Sequence, residues 1–176
     1  MRLTTPRLVL RDRNPADDAA VLALVSDYEV VKFTARWPWP ADADLVRERG
    51  AQVVAPERGF LAAIERDGRL IGIASIVDGA LGYMFERAAW GQGYATEAAR
   101  ALVDHAFTTL PALQTITAGL YDGNEASARV LERIGFRQTG RGTLFCMAQQ
   151  RDLDGPDYAL SRAEWAATRP PAVKAD

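Results

Sequence analysis

Gly91-Gln92-Gly93 stands between Leu81-Gly82-Tyr83-Met84-Phe85 and an alanine-rich run that begins Tyr94-Ala95-Thr96-Glu97-Ala98. The first run has aromatic residues and no interior charge, the character of a strand, and the second has the character of a helix. Strand, glycine turn and helix in that order aim several backbone N–H groups at one point. The orphan donors and the positive end of the helix dipole can hold an anion there, phosphate above all. The same residues equally describe a tight structural connection, and a glycine motif this short does not separate the two. Glu97 falls in the first helical turn, where the dipole alone explains a carboxylate. His105, the only histidine, lies nearly three turns further along, and Cys146, the only cysteine, falls in a late strand as a buried thiol. One of each does not supply a standard structural zinc site, so no metal is expected.

Around that stretch the chain resolves into alternating elements. Arg7–Arg11 reads as a short strand, and a helix follows from about Asp17 to Val25 with Ala20, Val21, Leu24 and Val25 at helical spacing. Arg36-Trp37-Pro38-Trp39-Pro40 is a rigid aromatic loop that either packs on the core or borders a cleft. A polar helix spans roughly Asp42 to Val54. Phe60–Glu65 and Arg69–Val77 flank Asp67-Gly68, a strong hairpin signal, and Asp78-Gly79 turns into Leu81–Phe85, the third strand of a meander. Gly72, inside the second of these strands, marks a bulge or a close backbone approach. The helix after the glycine turn runs from about Ala95 to Leu110 and ends before Pro111. A strand at Thr115–Tyr121 leads through Asp122-Gly123-Asn124 into a helix, Glu125–Ile134, with Ser127, Val130, Leu131 and Ile134 on one face. Gly135 caps it and Phe136 makes the contact beyond. Strands are expected at Thr143–Ala148 and Asp157–Ser161, with a turn at Asp154-Gly155-Pro156. A short terminal helix then starts at Ser161, boxed by Glu164.

With 176 residues, 48% apolar and 25% charged, the chain is long enough for one hydrophobic core without staples. The expected organisation is a single domain over residues 1–168 with a frayed tail at 169–176. A net charge of −2 gives no general attraction to nucleic acid or anionic membrane. No apolar run approaches the roughly 18 residues of a membrane span, and the opening residues lack the apolar core of a signal peptide. A lone cysteine suits a reducing compartment, so a cytoplasmic location is expected.

Two motifs now stand in order: Trp90-Gly91-Gln92-Gly93-Tyr94-Ala95-Thr96-Glu97-Ala98, and Asn124-Glu125-Ala126-Ser127 leading into Leu131-Glu132-Arg133-Ile134-Gly135-Phe136. Together they resemble the GNAT superfamily of acyl-CoA-dependent N-acyltransferases. Leu3-Thr4-Thr5-Pro6-Arg7-Leu8, Gly82-Tyr83, and Tyr158-Ala159-Leu160 through Glu164-Trp165 are similar to the branch that includes ribosomal-protein N-terminal acetyltransferases. The resemblance implies an α/β (α+β) fold, a mainly antiparallel sheet flanked by helices with a splayed central strand pair. It implies acetyl-CoA as co-substrate and a primary amine as acceptor, either a protein N-terminus or a small molecule. A homodimer would fit the branch.

The resemblance also distributes roles. Backbone amides of Gly91, Gln92, Gly93, Tyr94, Ala95 and Thr96 would hold the pyrophosphate, with Trp90 standing where the family usually has glutamine or arginine. Tyr83, Met84 and Phe85 would line the pantetheine arm, and an amide near Met84 or Phe85 would stabilise the oxyanion. Asn124 would bond the cofactor arm as well as cap its helix. Many relatives use a tyrosine at the position of Leu131 as general acid; Ser127, one turn earlier, is the substitute. For the general base, Gly119 replaces a glutamate of some relatives, which leaves Glu86, Glu29 or a water chain. Trp37 and Trp39 would border the acceptor site. A catalytically silent acyl-CoA-binding module is the alternative, and a nucleotide site is disfavoured because no lysine follows the glycines.

Overall fold

The computed structural model describes residues 1–168, so the tail expected at 169–176 lies outside the described residues. The chain opens with two short strands, β1 (Arg2–Thr4) and β2 (Val9–Asp12), paired antiparallel; the first was not expected from the sequence. A single 3-10 turn at Pro15–Asp17, boxed by Asn14 and Asp17, leads into α1 (Asp18–Val25). Tyr28–Val31 forms one further helical turn, α2, capped by Asp27. After the tryptophan loop comes α3 (Ala43–Ala51), capped by Asp42 and shorter than its sequence suggested.

The meander is as expected: β3 (Gly59–Arg66), β4 (Arg69–Val77) and β5 (Ala80–Phe85). Both turns have positive φ at their two central residues, 51° and 75° at Asp67-Gly68 and 50° and 77° at Asp78-Gly79, the twist that two-residue hairpins require. The β3–β4 register shifts between Ile64 and Glu65, opposite Gly72 and Leu70. A Cβ on Gly72 would sit 2.6 Å from the Met84 carbonyl oxygen, so glycine there serves a close approach of β4 to β5.

Next follow α4 (Tyr94–Thr109), β6 (Thr115–Gly119), α5 (Glu125–Arg133), β7 (Arg137–Cys146), β8 (Arg151–Ser161) and α6 (Arg162–Ala167). The sheet order is β1-β2-β3-β4-β5-β6-β8-β7. At the end of α5, Gly135 (φ 102°) and Phe136 donate to the carbonyls of Glu132 and Leu131, closing the expected glycine cap. The turn expected at Asp154-Gly155-Pro156 is instead the interior of β8, and the hairpin turns at 147–150. Gly155 is there because β8 crosses close to the end of β6: its Cβ would lie 2.0 Å from the Leu120 carbonyl oxygen. The Leu120 N–H donates to the Pro156 carbonyl at 3.0 Å, which uses the one backbone bond a proline can make at that edge.

Two apolar clusters divide the molecule. The first holds Ala98, Leu102, Ala106 and Phe107 of α4 and Leu131 of α5; the second holds Val21, Leu24 and Val25 of α1, Trp37, and Val46 of α3. Alternation along β5 sends Leu81, Tyr83 and Phe85 to the first and Met84 to the second. β5 and β6 run parallel and share one registered pair, Ala80 with Thr117, fixed by the Thr117 N–H on the Gly79 carbonyl at 2.8 Å. Beyond that pair no ladder joins them, which is the expected splay.

Candidate active site

The opening between β5 and β6 exposes one edge of β5. The hairpin pairs Val77 with Ala80, Ser75 with Gly82 and Ile73 with Met84, and the Glu86 N–H donates to the Ile71 carbonyl at 3.0 Å. These are the mutually hydrogen-bonded positions of an antiparallel ladder. The amides of Tyr83 and Phe85 therefore point away from β4 into the opening, while the Met84 amide is turned towards β4. Of the two residues named for the oxyanion amide, Phe85 has the matching orientation. Its carbonyl accepts from the Trp90 indole at 2.8 Å, leaving the Tyr83 groups and the Phe85 N–H as the strand's free edge.

At the end of that edge the chain turns into α4. Gly91 and Gly93 both have left-handed φ, 73° and 80°, a conformation that costs other residues energy. Gly93 is the N-cap of α4 and no side chain caps the helix. The first intrahelical bond runs from the Glu97 N–H to the Gly93 carbonyl at 3.1 Å, so the Tyr94, Ala95 and Thr96 amides precede it as orphan donors. A Cβ on Gly91 would meet no atom within 4 Å, so the space beside the loop is open. An uncapped helix start, a glycine N-cap and open space together suit an anion with several acceptor oxygens. Gln92 Nε2 closes the loop on itself through the Ala88 carbonyl at 2.6 Å.

Across the opening stands α5. Asn124 is its N-cap, accepting from the Ser127 N–H at 3.3 Å. Tyr83 reaches over from β5 and donates its hydroxyl to the Ser127 carbonyl at 3.4 Å, and burial pushes the phenol up to about 12. Tyr83, Asn124 and Ser127 are thus gathered at one place. The Ser127 hydroxyl itself has no hydrogen bond among the described residues, and Leu131 is wholly buried in the first cluster.

The remaining candidates sit elsewhere. Both oxygens of Glu86 accept from the Arg69 guanidinium, at 2.7 Å for Nη1. That pair rims a cleft of about 290 Å³ on the α1 side, with Asp27 and Arg87 paired at 2.7 Å nearby. Glu29 is bound to Lys32 at 2.7 Å. Trp37 is a core residue beneath the Arg49 guanidinium, 4.7 Å from the ring centre. Trp39 is half exposed and meets Tyr28 edge-on at 5.2 Å. Cys146 is buried, its thiol near the Lys32 and Thr34 carbonyls, and His105 packs on Phe60 at 4.6 Å. Among the described residues no group of three or more His, Cys, Asp or Glu is arranged for a metal, and no helix is long and apolar enough to cross a membrane.

Sequence reasoning missed Thr5 and Arg7. Glu97 does not merely face the dipole: its Oε1 accepts from the Thr5 hydroxyl at 2.6 Å and the Arg7 N–H at 2.9 Å, and its Oε2 from Arg7 Nε at 2.6 Å. Burial alone would raise this carboxyl, but the bonds from Thr5 and Arg7 hold it below its ordinary range. The partners lie about ninety positions apart, beyond any local spacing rule.

Residues 7–137 match the profile of the acetyltransferase (GNAT) domain. An uncharacterized protein, YkkB, of Bacillus subtilis is 32% identical over 148 residues, covering 76% of this chain and 84% of its own. The putative ribosomal N-acetyltransferase YdaF of the same organism is 32% identical over 139 residues, covering 72% and 74%. The crystal structure of spermidine N-acetyltransferase from Vibrio cholerae, in complex with CoA and spermine, superposes with a TM-score of 0.78 at 17% identity over 92% of this chain and 99% of that one. The family match over most of the chain and these relatives show that the chain belongs to the GNAT family of acetyl-CoA-dependent N-acetyltransferases.

Proposed function

We propose that this enzyme moves an acetyl group from acetyl-CoA to a primary amine by direct attack in a ternary complex. The observation that carries this reading is continuity. A short connection, a 3-10 turn at Arg87–Ala89 followed by the glycine loop, joins the unpaired edge of β5 to the uncapped start of α4, so strand amides and phosphate donors are brought to the same end of β5. In this reading the amides from Gly91 to Thr96 hold the pyrophosphate, and Tyr83, Met84 and Phe85 line the pantetheine arm, Tyr83 and Phe85 with backbone groups. Asn124 donates through its Nδ2, since its Oδ1 is already used on the Ser127 N–H. The Phe85 N–H receives the negative charge that grows on the thioester oxygen.

The departing thiolate needs a donor. Leu131 offers none, and the unbonded Ser127 hydroxyl, one turn earlier on the same face, donates a hydrogen bond to the departing thiolate, which takes its proton from solvent. Deprotonation of the incoming ammonium by Glu86 would require its carboxylate to leave Arg69, so solvent water serves as base. The acceptor enters past the exposed pair Tyr28 and Trp39, with Glu29 and the buried Trp37 behind them. A related structure contains spermine and a related sequence is named for ribosomal substrates, which supports a small polyamine or a protein N-terminus as the acceptors to try first.

Acetyl-CoA incubated with a panel of N-terminal peptides, polyamines and aminoglycosides, with products read by mass spectrometry, tests the reading. Transfer to at least one amine with release of free thiol is expected. Binding of acetyl-CoA without transfer across the panel would replace it with a silent binding module. Ser127→Ala should lower kcat about 10–100-fold, the loss of one hydrogen bond to a charged group; unchanged turnover across pH removes Ser127 from the mechanism.

A further inference from the structure

The loop at the start of α4 is held by a side chain from outside it. Arg7 Nη1 donates to the Gln92 carbonyl at 2.8 Å, while its Nε is bound to Glu97 and its guanidinium carbon lies 4.5 Å from the centre of the Tyr94 ring. Arg7 therefore touches the chain both before and after Gly93. We propose that Arg7, locked by Thr5 and Glu97, is a positioning residue that aims the Gly93 amide at the pyrophosphate of the acyl donor. This rests on the function proposed above.

Two physical consequences follow from the contact. The peptide between Gln92 and Gly93 is planar and trans, so its C=O and N–H point in opposite directions. Pinning the Gln92 carbonyl to Arg7 turns the Gly93 N–H away from Arg7. Without that bond, a glycine flanked by a second glycine two residues back has little to fix the plane. The second consequence is electrostatic. Glu97 lies in the first turn of α4, next to the orphan amides, where its charge would repel a phosphate. Arg7 cancels that charge through a paired bond, and Thr5 keeps the carboxylate turned towards Arg7. A lysine has the charge but not the planar fork, so it cannot serve Glu97 and the Gln92 carbonyl in one fixed geometry.

The test compares two donors: acetyl-CoA, and S-acetylpantetheine, which lacks the pyrophosphate. Arg7→Ala is expected to raise KM for acetyl-CoA by about tenfold or more, the loss of a charge-assisted contact. Its KM for S-acetylpantetheine and for the amine, and its kcat, should stay within about twofold of the parent enzyme. Arg7→Lys should restore only part of the loss. Thr5→Val, which leaves Arg7 in place, should shift KM for acetyl-CoA alone in the same direction and supplies the answer should Arg7→Ala fail to fold. If Arg7→Ala lowers thermal stability while both donors keep their KM, or if both KM values rise together, Arg7 is only a structural tie and the proposal is overturned. If the parent enzyme itself does not prefer acetyl-CoA to S-acetylpantetheine, the anion loop is wrong and the clamp falls with it.

Discussion

Gly93→Ala, set against Gly68→Ala, measures how strongly the loop conformation is coupled to the acyl donor. The two glycines have nearly the same φ, 80° and 75°. A Cβ at Gly68 would meet nothing within 4 Å, and at Gly93 only Arg7 Nη2 at 3.5 Å, an ordinary contact. Neither substitution creates a clash, so both introduce the same left-handed strain, about 1–2 kcal/mol. Each also gains the same fraction of a kcal/mol by stiffening the unfolded chain. Gly68 sits in the β3–β4 hairpin, where both strands hold the turn, and the whole strain should appear as lost stability. A net loss near 1 kcal/mol lowers the melting temperature by about 2–4 °C in a chain of this size.

At Gly93 the loop is held by the Arg7 and Gln92 side chains and is open on its other side, so it can relax in part before the donor binds. Part of the strain then disappears from the free enzyme and returns when the amides are brought back into line. The stability loss and the affinity loss at Gly93 should together match the stability loss at Gly68. Fully relaxed, the affinity term reaches the whole 1–2 kcal/mol, about 5–30-fold in Kd for acetyl-CoA. Thermal denaturation of both variants and calorimetric titration with CoA give the two terms separately. Gly68→Ala is expected to bind CoA as the parent does, and Gly93→Ala to melt higher than Gly68→Ala while binding more weakly. Equal melting temperatures with CoA affinity within twofold of the parent would refute the coupling.

Gly155→Ala should be far more damaging than either, because its Cβ would meet the backbone of Leu120 and Tyr121 at 2.0–2.8 Å and neither can swing aside; a loss of about 3 kcal/mol or more in urea denaturation is expected, and a loss under about 1 kcal/mol would show that β8 can shift. Acid sensitivity follows from Asp17, whose carboxyl the Arg11 guanidinium holds below its ordinary range with bonds of 2.8 and 2.7 Å. A depressed folded pKa contributes stability above the unfolded value, near 4, and loses it as pH falls through the folded value. Arg11 keeps Glu65 as a second partner at 2.7 Å, so Asp17→Asn should be less stable at pH 7 by about 1.5–3 kcal/mol, the loss of hydrogen bonds to a charged group, and show a flatter decline below pH 4; a parallel decline in parent and variant would place the acid-sensitive group elsewhere.

What could be read from the chain before its structure depended on how local the cause was. The two hairpins, the α5 cap and the α6 capping box are each fixed within a few residues, and each matched. Gly72 was legible as a close approach, although the partner it crowds, Met84, was not. The misread segment, Asp154-Gly155-Pro156, has turn chemistry, but its glycine answers to Leu120 and its proline carbonyl to the Leu120 amide. β1 escaped because three residues with alternating exposure carry no period to recognise. At the site the glycine loop and Asn124 with Ser127 were singled out only through the resemblance that the two motifs carry together, since neither spacing alone separates a binding role from a structural one, and Thr5 and Arg7 were not, since their contacts exist only once Glu97 is folded against them.

The same division separates the donor side of the site from the acceptor side. In the proposed reading donor binding depends on backbone amides, and their direction is set by glycines with positive φ, Gly91 and Gly93. The wall on the other face of β5 is assembled from distant side chains. Gln149 Nε2 donates to the Lys32 carbonyl at 2.9 Å, the Cys146 thiol points at the same carbonyl, and the Tyr121 hydroxyl donates to Phe145 at 3.0 Å. The first two tie the end of α2 to the β7–β8 hairpin and the third ties the segment after β6 to β7, around the cluster in which Trp37 is buried while Trp39 stays half exposed. A substitution anywhere among them reshapes that wall without touching the glycine loop. The acceptor side of the proposed site can therefore change without altering the glycine loop, which is why the acetyltransferase family was legible in the sequence and the identity of the amine was not.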